Sequence, residues 1–90
     1  MFFTLPGGSI VQWGRTQAAT SSSTLLTIPL NTTFPVGIQT AIGINGDWTN
    51  SNVRTNTWVF YAPGSSNSQV SFATSAINQT VITCWVAFGR

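Results

Sequence analysis

Val81-Ile82-Thr83-Cys84-Trp85-Val86-Ala87-Phe88 is the stretch that decides the fold class. In an extended chain successive side chains point to opposite faces, so Ile82, Cys84, Val86 and Phe88 line one side and Val81, Thr83, Trp85 and Ala87 the other. Both sides are apolar, unlike a strand with one face in water. One face therefore packs in the subunit core, and the other meets a second sheet or a neighbouring subunit. Cys84, the single cysteine, cannot form an intrachain disulfide and reads as a small apolar residue within this run.

Upstream, residues 36–44 alternate with a period of two. Val36, Ile38, Thr40, Ile42 and Ile44 fall on one side, Gly37, Gln39, Ala41 and Gly43 on the other. The second side is small and flat, which invites close approach of another backbone. Apolar residues nowhere recur at three- and four-residue spacing, and the Thr, β-branched and aromatic content favours strands throughout. Six strands are expected, at residues 9–13, 24–30, 36–44, 52–61, 69–74 and 81–88. A Ser/Thr-rich loop is expected over 14–23, and turns over 45–51, 62–68 and around Asn78-Gln79. Short strands with turn signals between them indicate an all-β, six-stranded antiparallel β-sandwich in one domain, residues 9–90. Pro6-Gly7-Gly8 reads as a hinge, making residues 1–8 an N-terminal extension or linker.

Composition narrows the function. Arg15, Asp47, Arg54 and Arg90 are the only charged residues, while 36 of the 90 positions are Thr, Ser, Asn or Gln. A typical soluble domain is about one-quarter charged, so neutral hydrogen-bonding side chains carry solubility here. A net charge of +2 from three scattered arginines is no basic patch, and nucleic acid is not an expected partner. No run approaches the roughly 20 apolar residues of a membrane-spanning helix, so membrane insertion is not expected either, and the opening residues are too short for a signal peptide. With one Asp and neither Glu nor His, the chain lacks the paired carboxylates or imidazole that most hydrolytic mechanisms use, and it lacks a ligand set for zinc or calcium. No enzyme activity, cofactor or metal is expected.

What remains is recognition by aromatic faces and neutral hydrogen bonds, which suits sugars. The richest stretch, residues 45–61, supplies Trp48, Asn50, Asn52, Arg54, Asn56, Trp58 and Tyr61 as candidate glycan contacts. Trp48 stands in a turn among polar residues, where it reads equally as ligand contact or as a lid over the sandwich end. Arg54, Asn56, Trp58 and Phe60 share one strand face, either as a groove or as a gradient from polar rim to core. Trp13 and Trp85 read as packing residues.

Ser9-Ile10-Val11-Gln12-Trp13-Gly14, Ile28-Pro29-Leu30 followed by Phe34-Pro35, the long third strand and the closing Trp85-Val86-Ala87-Phe88-Gly89-Arg90 together resemble the C-terminal domain of phage tail-fibre proteins. The closing pattern is also similar to H-type lectins. The resemblance spans nearly the whole chain and implies an H-type lectin-like sandwich working as a homotrimer. It also implies a place at the tip of a virion's tail fibre, joined to the rest of the fibre, where the domain binds a bacterial surface polysaccharide such as lipopolysaccharide or capsule. On this reading the flat face of the third strand and one face of the last supply the trimer interface, through Gln39, Ala41, Trp85 and Ala87. Two alternatives stay open: a structural cap that trimerises the fibre without adhesion, and a free secreted lectin.

Overall fold

The computed structural model describes residues 1–21, 24–47 and 56–90. Its strands are β1 (Phe2–Thr4), β2 (Ile10–Ala19), β3 (Leu25–Pro29), β4 (Ile38–Asn45), β5 (Trp58–Phe60), β6 (Gln69–Thr74) and β7 (Thr80–Gly89), with a 3-10 turn at Ala62–Gly64. They form two sheets, one ordered β1-β2-β7-β4 and the other β3-β6-β5, and every neighbouring pair is antiparallel. The chain is all-β, with seven described strands where the pattern suggested six.

The extra strand comes from the segment expected to be a linker. Phe2, Phe3 and Thr4 pair with Gln12, Val11 and Ile10, and the expected hinge is the reversal of a hairpin. The Gly8 N–H donates to the Leu5 carbonyl at 3.1 Å across Pro6-Gly7, with Gly7 at φ +92°. Pro at the second turn position and Gly at the third meet the demands of a type II turn. β2 also runs further than expected. Residues 14–19 continue the ladder opposite Trp85 to Thr80, so the Ser/Thr-rich loop starts only after Ala19. β5 is shorter than the expected 52–61, whose residues 52–55 lie outside the described residues.

β7 is one of the two inner strands of its sheet, and from Val81 to Gly89 its residues alternate strictly between buried and half-buried. Its inward residues Val81, Thr83, Trp85 and Ala87 join Leu26, Ile28, Phe34, Val70 and Phe72 in one core. Size matching lets the sheets close. In the row Gly14, Trp85, Gly43 the indole fills the space over one glycine, and the Phe72 ring of the opposite sheet fills the space over the other. The flat side of β4 is thus the inner side, lying against an aromatic ring of the same chain rather than another backbone.

Buried polar groups are matched as they must be inside a sandwich. Gln12 is fully buried, and its Oε1 accepts from the Asn31 and Thr32 N–H groups at 2.9 and 3.1 Å while its Nε2 donates to the Thr32 carbonyl at 2.9 Å. Two indoles donate to threonines, buried Trp85 through Nε1 to Thr16 Oγ1 and half-buried Trp58 through Nε1 to Thr83 Oγ1, each at 3.0 Å. Among the described residues no buried side-chain nitrogen or oxygen lacks a partner.

Candidate functional site

The described residues that flank 48–55 lie at one end of the sandwich. β4 runs out in an Asx turn, in which Asn45 Oδ1 accepts the Asp47 N–H at 3.0 Å and Asn45 Nδ2 donates to the Asp47 carbonyl at 3.0 Å. The Gly46 N–H donates to the Ile82 carbonyl, fixing this exit on β7. On the return, Asn56 Nδ2 donates to Gln79 Oε1 at 3.3 Å, and Ser75 Oγ donates to Asn56 Oδ1 at 3.1 Å. Gln79 belongs to the β6–β7 turn, which Asn78 shapes with a left-handed φ of +52° and which Thr20 ties to β2 through paired bonds with Gln79. Asp47 and Asn56 therefore both stand at the end of the sandwich that carries the β6–β7 turn.

The candidate sugar contacts do not converge as a single described group. Trp48, Asn50, Asn52 and Arg54 lie outside the described residues. Asn56 stands at the loop end. Trp58 is half-buried, packs against the core and uses its indole N–H on buried Thr83. Tyr61 lies beyond β5, five positions and about 16 Å of extended chain from Asn56, where its N–H donates to the Ser71 carbonyl and the 3-10 turn begins. Trp58 has a structural task, and Tyr61 belongs to a different end of β5. Among the described residues no group of three His, Cys, Asp or Glu could hold a metal ion, and no helix is long and apolar enough to cross a membrane.

The residues expected to join subunits are placed differently from expectation. Ala41, Trp85 and Ala87 are 6%, 4% and 0% exposed and face the second sheet of their own chain. Gln39 is exposed at a β-bulge, where the register slips between Ile38 and Thr40. The parity of β4 is the reverse of the one assumed: its large residues point outward. Ile42 and Ile44 are 58% and 59% exposed, alongside Val86 and Cys84 of β7. Together with Trp85 these four line an open apolar depression of about 240 Å³. Across the sheet, Trp13 is 38% exposed and meets the Phe3 ring edge-on at 5.6 Å. The signal for this outer face was present in the sequence, in the second apolar side of the 81–88 run and the isoleucines of the third strand.

The family described as putative tail fiber protein gp53-like, C-terminal, matches residues 4–90. Among solved structures, the N-truncated R2-type pyocin tail fibre shares the fold with a TM-score of 0.73 at 18% identity, over 99% of this chain and 34% of that one. The C-terminal part of the Pseudomonas aeruginosa R2 pyocin fibre aligns with a TM-score of 0.69 at 18% identity, over 92% of this chain and 21% of that one. The corresponding part of the P. aeruginosa R1 pyocin fibre gives 0.65 at 17%, over 92% and 24%. The chain thus spans about a fifth to a third of the length of these fibre structures. No curated protein sequence matches.

Proposed function

The chain belongs to the gp53-like tail-fibre family, in its C-terminal part, and from that premise we propose that it is the receptor-recognising tip of a tail fibre on a phage or phage-like particle. It works as a non-enzymatic homotrimer carried by the rest of the fibre. Its ligand is a bacterial surface polysaccharide, lipopolysaccharide or capsule. The observation that carries this reading is the family match over residues 4–90. Composition supports the ligand class: a chain with four charges and 36 neutral hydrogen-bonding side chains is suited to uncharged polar groups. The similarity of the closing strand to H-type lectins points the same way.

The segment 48–55, with Trp48, Asn50, Asn52 and Arg54, is the binding element of this reading, and Asn56 sets its root. Single sugar sites are weak, so three copies on one tip gain strength through effective concentration. The test is binding of labelled domain to bacterial strains with defined surface polysaccharides and to matched strains lacking them, with W48A and R54A variants alongside. Saturable binding that disappears with the polysaccharide and falls at least tenfold in the variants is expected. Binding to intact fibres that is indifferent to the variants and the polysaccharide would instead favour the structural cap.

A further inference from the structure

We propose that the copies of this chain join through the outer face of the β1-β2-β7-β4 sheet, placing β7 and Cys84 where neighbouring copies meet. This rests on the fibre reading for the existence of an assembly and deepens it by naming the surface. The occupant of the face is a second copy of the same chain.

The β3-β6-β5 sheet covers one side of β7, and no element of the described chain covers the other. On that open side Trp13, Ile42 and Ile44 are 38%, 58% and 59% exposed, and Cys84, Val86 and Phe88 run down the centre. Large contiguous apolar patches on a small protein mark interaction surfaces.

Area and charge favour self-association. The ten residues of β7 at about 3.3 Å each give about 33 Å of length, and four strands at about 4.8 Å give about 19 Å of width. Because β1 has three residues and β4 eight, the sheet fills about three-quarters of that rectangle, on the order of 500 Å² in projection and more as accessible surface, against the roughly 800 Å² per partner of a stable complex. Arg15 is the only charged side chain on these strands; it stands beside Cys84 in the middle of β2, and its Nη2 donates to the Gly46 carbonyl at 3.3 Å. Each face thus carries one charge, its guanidinium hydrogen-bonded within its own chain, and is otherwise neutral, and obligate interfaces resemble a core cut in half. A sugar would find few hydrogen-bonding partners along the isoleucine, valine and cysteine stripe.

The single cysteine makes the test direct. The unmodified protein, whose only thiol is Cys84, is treated with a short flexible bis-maleimide in parallel with a T27C variant in a C84S background. Thr27 is exposed on the outer face of the other sheet and serves as the counterpart. A covalent two-chain product from the unmodified protein, at least tenfold above that of the T27C variant, is expected. So is conversion of the assembled form to single chains by I44E, with its β circular-dichroism signal retained. Cross-linking through T27C but not Cys84, in protein whose solution mass is that of several chains, would overturn the assigned face and leave the fibre reading standing. A solution mass of one chain for the unmodified protein would overturn both.

Discussion

Replacing Gly14 with alanine probes the packing row that sets the spacing of the two sheets. A methyl group at Gly14 would lie 2.9 Å from Trp85 Cζ2 and 3.1 Å from Cε2 and Nε1. Carbon atoms settle at about 3.5 to 4.0 Å, so the indole would have to retreat by at least about half an ångström. It has little room: Trp85 is 4% exposed, and its N–H is held by Thr16 Oγ1 at 3.0 Å. Overpacking of a core costs about 1–3 kcal/mol, while removing a strand-interior glycine returns about 0.5–1 kcal/mol. The net loss expected for G14A is about 1–2 kcal/mol, which lowers the thermal midpoint by about 5–15 °C in a domain of this size. The assay is thermal and urea unfolding at equal protein concentration of G14A, W85F and the double variant. Phenylalanine lacks the outer ring of the indole, so the penalty of G14A should shrink by about 1 kcal/mol in the W85F background. A G14A protein as stable as its parent, or an undiminished penalty with W85F, would refute the packing account.

Two further predictions test the polar core and the N-terminal hairpin. Q12M keeps the volume but strips the acceptor from the Asn31 and Thr32 N–H groups and the donor from the Thr32 carbonyl, and should cost about 2–4 kcal/mol in urea unfolding. G7A forces an L-residue to φ +92° in the turn and should cost about 1–2 kcal/mol locally, speeding amide exchange of Leu5 and Trp13 by roughly 5- to 30-fold while β7 amides stay protected.

Where the sequence was legible, one physical signal carried it. The period-two alternation of β4 and β7 and the turn chemistry at Asn78-Gln79 follow from backbone geometry alone, whereas Pro6-Gly7-Gly8, read as a hinge, is the turn of a hairpin. The inward side of β4 was not legible, because large residues usually face the core and here the core side is Ala41 and Gly43. Only the Phe72 ring, brought from another sheet, explains why the small side is the buried one. β2 hid its second half for a related reason: Gly14, Thr16 and Ala18 face inward and Arg15 and Gln17 outward, a composition that reads as loop until the Val81–Trp85 ladder is known. β1, at three residues, is too short to show alternation. Of the candidate site, the loop's polar character was readable, but the separation of Asn56, Trp58 and Tyr61 depends on where β5 begins, which composition does not encode.

The central claim is that both faces of the β7 sheet are buried in the working protein, one by the second sheet and one by further copies. Light scattering of the purified protein across a hundredfold range of concentration tests it most directly. A mass about three times 9.6 kDa that persists on dilution is the predicted result. A folded species of 9.6 kDa at the highest concentration would contradict the account.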